Sequence, residues 1–218
     1  MTTHDAGTRL DQLYRRLTVP LAGRVAGWPG VTPNRVSGVA FATGGLLAPL
    51  LAARRRPRLA GLAFLAGDVL DYLDGDVARA QRSTSAAGDV LDGVLDRYTD
   101  ALCVGAMGLV AAGVFGPPRP ALLLGTPSPR TANLVTLAAV TGCLLPSYVK
   151  ALSVANDRNT PQSIGGRGTR NRIVWAGLLC DQPFWTTAVL AVLSHVAAVH
   201  RAVYTISRRG ERTGPSPA

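Results

Sequence analysis

Residues 67–100 read GDVLDYLDGDVARAQRSTSAAGDVLDGVLDRYTD. Asp71 and Asp74 are three apart and share one face of a helix, and Asp92 and Asp96, four apart, share a face of the next. The polar stretch 81–86 is short enough to turn one helix back on the other. The spacing therefore predicts a hairpin that brings four carboxylates together at the polar end of two apolar helices. Four anions in one place repel and are costly to desolvate. One or two divalent cations resolve the conflict. No Cys or His lies in the stretch, and an all-oxygen ligand set suits Mg²⁺ or Mn²⁺ better than zinc. Two such ions about 3.5–4 Å apart can hold the attacking and leaving oxygens of a phosphoryl displacement. Gly75, Ala78 and Gly88 remove side-chain bulk beside the carboxylates, and Arg79 can bridge phosphate oxygens. Helix packing in membranes also favours small residues. The four aspartates and the arginine beside them favour the phosphate reading.

Around this stretch the chain is strongly apolar. Charge-free runs cover residues 36–53, 101–118, 131–149 and 182–199, each 18 or 19 residues long. About 20 helical residues cross a hydrocarbon core of roughly 30 Å, so these are transmembrane candidates. Four such runs in 218 residues leave too little polar surface for a soluble protein. Two shorter runs, 59–67 and 173–180, end at Asp68 and Asp181 and read as spans with a polar end. The expectation from hydropathy is an all-α integral membrane protein with four to six transmembrane helices. Leu10, Leu13, Tyr14, Leu17 and Leu21 recur at helical spacing before the first span, with Arg9, Arg15 and Arg16 on other faces. That pattern predicts an amphipathic helix, lying on the membrane surface or packed against the protein. The expected organisation is a juxtamembrane segment 1–31, a membrane domain 32–207 and a disordered tail 208–218. Asn34 or Ser37 is expected to cap the first span.

The net charge is +10, with 22 arginines and a single lysine, Lys150. The arginine bias reads as that of a GC-rich bacterial genome. The arginines flank apolar helices and form no continuous patch interleaved with aromatics, which argues against a nucleic-acid partner. With the N-terminus in the cytoplasm, 17 basic residues fall on the inner side, and Arg54, Arg55, Arg56, Arg58, Arg119 and Arg130 fall outside. The count favours that orientation, and the four arginines at 54–58 run against it. Cys103, Cys143 and Cys180 show no paired spacing, so neither a disulfide nor a zinc site is expected. The N-terminal Met1-Thr-Thr-His-Asp lacks a signal-peptide profile.

Asp71-x-x-Asp74-Gly75-x-x-Ala78-Arg79, eight residues, Gly88-x-x-x-Asp92-x-x-x-Asp96 resembles the CDP-alcohol phosphotransferase pattern at every fixed position. A weaker resemblance runs from Thr32-Pro33-Asn34 to Tyr148-Val149-Lys150-Ala151 and Arg201. The resemblance implies six spans in the cell membrane, a site facing the cytoplasm, two divalent ions and a homodimer. By motif position it implies that Asp71, Asp74 and Asp92 are metal ligands. Asp96 would be the base that deprotonates the acceptor hydroxyl, also touching metal. Asn34, Ser37, Gly75, Ala78, Arg79, Ser85 and Gly88 would contact the CDP donor. Arg97 and Asp100 would be structural supports.

Lys150, Arg167, Arg170 and Arg172 cluster in sequence around the end of the fourth apolar run. They suit a phosphorylated acceptor. The segment resembles actinobacterial phosphatidylinositol-phosphate synthases, in which a Lys-Ala pair precedes paired arginines. It departs from them at Leu152, where Arg is usual, and lacks an acidic residue between the arginines. The stretch 91–98 looks more like the di-inositol-phosphate synthases, whose donor is CDP-inositol. Inositol phosphate is the leading acceptor and CDP-diacylglycerol the leading donor, with glycerol 3-phosphate as the alternative acceptor. A cation transporter is the non-enzyme alternative, kept open by Asp68, one turn deeper than Asp71. It predicts acidic residues spread over several helices.

Overall fold

The computed structural model describes residues 9–161 and 166–207. The described part is built of helices: α1 (Arg9–Val25), α2 (Pro33–Ala53), α3 (Pro57–Ala80), α4 (Ala86–Ala111), α5 (Pro129–Ala155), α6 (Arg167–Leu179) and α7 (Pro183–Ile206). The expected tail 208–218 and the first eight residues lie outside the described residues.

Three helices are long and apolar enough to cross a membrane: α2, α5 and α7, of 21, 27 and 24 residues. Their outward faces carry exposed Leu134, Leu137, Val192, Val196 and Val199, as lipid contact requires. The helix α3 has 24 residues, about 36 Å of length. Its inner half, however, carries the motif carboxylates, as does the first half of α4. The helix α6 has 13 residues, about 20 Å, and is too short to span alone. The charge-free run 101–118 is not one helix. Gly113 and Gly116 adopt left-handed φ of 82° and 125°, and Pro117 and Pro118 follow, so α4 ends at Ala111.

Small residues set the packing. One core joins Ala48 and Ala52 of α2, Ala60 and Phe64 of α3, Cys103 and Met107 of α4, Ala139 and Cys143 of α5, Leu178 of α6 and Leu190 of α7. None of the three cysteines is paired. Residues 41–47 of α2 are π-helical, a local widening that often accompanies function. There α2 meets α3 backbone to backbone: a Cβ on Gly67 would stand 2.6 Å from Gly44 Cα and 3.0 Å from the Ala40 carbonyl oxygen. Gly67→Ala must push the two helices apart, an overpacking cost of about 1–3 kcal/mol. It is expected to lower the thermal midpoint of the purified protein in detergent, and an unchanged midpoint would contradict this crossing.

The two motif helices do not close into a tight hairpin. From the turn after Gln81 they diverge, with α2 packed against both and α6 against α3 and the flank of α4. The carboxylates thus face a gap walled by α2 and α6. The turn is braced by Gln81, whose Nε2 donates to the carbonyls of Ala26 (2.8 Å) and Val31 (2.9 Å). Thr32, not Asn34 or Ser37, caps α2, with Pro33 in its first turn.

Candidate active site

The spacing of the quartet converts into place as helical geometry dictates. One oxygen each from Asp71, Asp74 and Asp92 lies within 4.8 Å of the others, a group able to hold a metal ion. Ser37 Oγ donates to Asp74 Oδ2 (2.5 Å), so α2 fixes one carboxylate of the three. Asp96 stands outside this group, one turn along α4. Its oxygens meet Arg167 Nη2 at 2.6 Å and Arg97 Nη2 at 3.5 Å. Arg167, the first residue of α6, also reaches Asp71 at 2.5 Å and so bridges the two motif helices.

A cavity of about 290 Å³ opens here, lined among others by Asp71, Asp74, Gly75, Arg79, Asp92 and Arg167. Arg79 pairs with Asp76 and folds back over Gly75, where a Cβ would stand 3.4 Å from its Nη1. At the other side of the turn, Ser85 caps α4 by accepting from Gly88 N (3.1 Å). Asn34 is drawn to the same spot, since a Cβ on Gly88 would lie 3.7 Å from its Oδ1. Ala78 is half-buried, its carbonyl accepting from Ser83 in the turn.

The four basic residues grouped in the sequence take different places. Arg167 lies on the carboxylates. Arg170 is 2% exposed and pairs with Asp100 at 3.1 Å. Arg172 is half-buried and, five residues on from Arg167, points from another side of α6. Lys150 is exposed on α5, one turn beyond Pro146 and Ser147. Those two are themselves engaged: Arg97 donates to Ser147, and Arg201 Nη1 to the Pro146 carbonyl (2.9 Å). Arg97 also reaches Asp100 at 3.6 Å, so Arg97, Asp100 and Arg170 form a charged layer behind the cavity.

Some contacts have little sequence signal. Asp68 is buried and accepts from Asn171 Nδ2 (2.5 Å), 103 residues away. Thr18 meets Asp76 across 58 positions. Asp76 lies in a variable place of the motif, and only its charge inside an apolar helix marked it.

The comparisons with known proteins agree with this architecture. Residues 31–200 match the CDP-alcohol phosphatidyltransferase family, and the chain belongs to that family. The bifunctional IPC transferase and DIPP synthase of Rubrobacter xylanophilus is 31% identical over 175 residues, covering 78% of this chain and 36% of that protein. The archaetidylinositol phosphate synthase of Methanothermobacter thermautotrophicus is 31% identical over 157 residues, covering 69% of this chain and 71% of that one. The chain thus spans about a third or less of the bifunctional relatives' length. In fold it is similar to the crystal structure of Mycobacterium tuberculosis phosphatidylinositol phosphate synthase with CDP-DAG bound. That likeness has a TM-score of 0.72 at 22% identity, and it covers 92% of this chain and 100% of that one. The same enzyme in complex with manganese and citrate gives a TM-score of 0.73 at 21% identity, over 90% of this chain and 93% of that one.

Proposed function

We propose that this chain transfers a phosphatidyl or other phosphoryl-linked group from a CDP-alcohol, with CDP-diacylglycerol favoured, to a hydroxyl of a phosphorylated polyol, releasing CMP. The observation that carries the reading is the three-carboxylate group beside Arg79 in one cavity. Asp71, Asp74 and Asp92 would hold Mg²⁺ or Mn²⁺, two ions in all with Asp96 touching the second. Bound there, the metal would neutralise the donor diphosphate and make CMP a better leaving group. Family membership and the solved relatives with CDP-DAG and with manganese support both assignments.

The chain's own groups divide the work. Arg79 binds diphosphate oxygens. Gly75, Ala78 and Gly88 leave room for the nucleotide, and Asn34, Ser37 and Ser85 border it. Asp96 accepts the hydroxyl proton as the acceptor oxygen attacks the phosphorus distal to cytidine. The new O–P bond forms as the P–O bond to CMP breaks, and the leaving phosphate keeps the electron pair. Arg167, between Asp71 and Asp96, is the arginine that would receive the acceptor phosphate in this reading. Lys150 and Arg172 are the further acceptor contacts in this reading, and Arg170 is their support through its pair with Asp100.

The reading counts six membrane helices, α2 to α7, within a membrane domain 32–207, of which the 13-residue α6 enters the membrane without crossing it alone. The polar inner ends of α3, α4 and α6 face the cytoplasm across the cell membrane, and two copies form a homodimer. The helix α1 lies on the membrane surface, where exposed Leu17 and Leu21 meet lipid. The transporter alternative finds no support. Among the described helices α2 to α7 the acidic residues stand on α3 and α4 alone, and Asp68 is engaged by Asn171.

The test is CMP release by purified protein given CDP-diacylglycerol or CDP-inositol and a panel of acceptors. Inositol phosphate and glycerol 3-phosphate are expected to exceed inositol, glycerol and serine, with inositol phosphate first. A phosphate on the acceptor would add charge-assisted contacts that an unphosphorylated acceptor lacks. Lys150→Ala is expected to raise the acceptor KM about tenfold, roughly one lost charge-assisted contact, and to leave the donor KM nearly unchanged. A preference for serine or free inositol would overturn the phosphate pocket.

A further inference from the structure

The helix α1 precedes the residues that match the family, yet it is joined to the motif by a polar contact buried on both sides. Tyr14, Thr18 and Ala22 recur every fourth residue and form the buried stripe of α1, while Leu17 and Leu21 point away from the protein. Opposite them on α3 stand Tyr72 and Asp76, also one turn apart. Tyr14 and Tyr72 pack edge to face at 5.0 Å between ring centres. Thr18, 1% exposed, places its Oγ1 2.5 Å from Oδ2 of Asp76, which is 5% exposed. The other oxygen of Asp76, Oδ1, accepts from Arg79 one turn on. A hydroxyl on α1 and a guanidinium at the cavity thus hold the two ends of one carboxylate.

We infer that Thr18 and Asp76 are positioning residues that hold Arg79 for the donor diphosphate, making α1 a working part of the donor site. The inference rests on the proposed role of Arg79. Arg79 is long, flexible and half exposed, so unaided it loses much rotamer freedom on binding. Pairing with Asp76 fixes it over Gly75 at the rim of the cavity. The pairing has one direction only while Asp76 itself is held. Without the Thr18 hydroxyl, the Asp76 carboxylate loses its second anchor and can rotate, taking the guanidinium with it. An apolar residue at Thr18 would preserve the packing of α1 and remove this control.

The test uses the full chain in lipid nanodiscs with Mg²⁺, and CDP as the probe in calorimetric binding. Thr18→Val is expected to weaken CDP binding about tenfold and to raise the donor KM by a similar factor. Acceptor KM and kcat should stay within about twofold, and Thr18→Ser should restore the wild-type values. Asp76→Asn, which keeps a partner for Thr18 and loses the charge that orients Arg79, should reproduce the donor defect. Unchanged CDP affinity in Thr18→Val and Asp76→Asn overturns the inference. So does a loss spread equally over donor and acceptor KM, with a lowered thermal midpoint that Thr18→Ser fails to rescue. If the wild-type chain itself binds no CDP, the donor reading falls, and the inference falls with it.

Discussion

Asp96→Asn is expected to lower turnover about 10²-fold or more while largely sparing Mg²⁺-dependent binding of the CDP donor. The structure separates this carboxylate from the other three. Asp71, Asp74 and Asp92 converge within 4.8 Å, while Asp96 faces Arg167 and Arg97. A group so placed can take a proton from an acceptor that enters beside Arg167. Asparagine keeps its shape and loses its basicity. Asp71→Asn is expected to behave differently, because it removes one charge of the converging group and one partner of Arg167. It should weaken donor binding itself, and raising Mg²⁺ should recover part of the loss. Titrating both variants with a CDP donor at several Mg²⁺ concentrations separates the roles. Equal binding losses would make Asp96 chiefly a ligand, and the proton would need another acceptor.

Much of this arrangement was legible in the sequence. Spacings of three and four residues place carboxylates on one helix face whatever the tertiary structure does, which sets Asp71 beside Asp74 and Asp92 on the face of Asp96. That Asp92, and not Asp96, joins the first two is decided by how the helices pack. The apolar helices α2, α5 and α7 were legible as uncharged runs of helical length, whereas the equal run 101–118 is cut by Gly113, Gly116, Pro117 and Pro118. What the sequence concealed depends on partners far along the chain. Arg170 sits in a run of basic residues, and its sign says nothing of Asp100, buried 70 positions earlier. The face of α1 that docks was hidden for a physical reason. Beside a membrane, apolar side chains such as Leu17 can face outward, so the face toward the protein need not be the most apolar. It is marked instead by Tyr14, Thr18 and Ala22, a hydroxyl stripe indistinguishable by hydropathy from a solvent face. The splay of α3 and α4 was hidden too. A short turn fixes that two helices are neighbours in sequence, and the wedge of α2 with its Gly44–Gly67 crossing decides how far apart they stand.

Metal removal is expected to have the largest effect of all. Three carboxylates lie within 4.8 Å, with Asp68 and Asp96 close by; Arg167 contacts Asp71 and Asp96, Arg97 contacts Asp96, and Asp74 and Asp92 face the gap. A diphosphate brought into the cavity of about 290 Å³ would add further negative charge, which Arg79 alone cannot offset. Donor binding and the departure of CMP should therefore both depend on a divalent ion. The decisive measurement follows CMP release from a CDP-linked donor in the presence of inositol phosphate, before and after exhaustive chelation. It is then repeated with Mg²⁺ or Mn²⁺ added back. The account predicts that chelation abolishes release and that either ion restores it. Full activity after chelation would contradict the metal-dependent transfer proposed here.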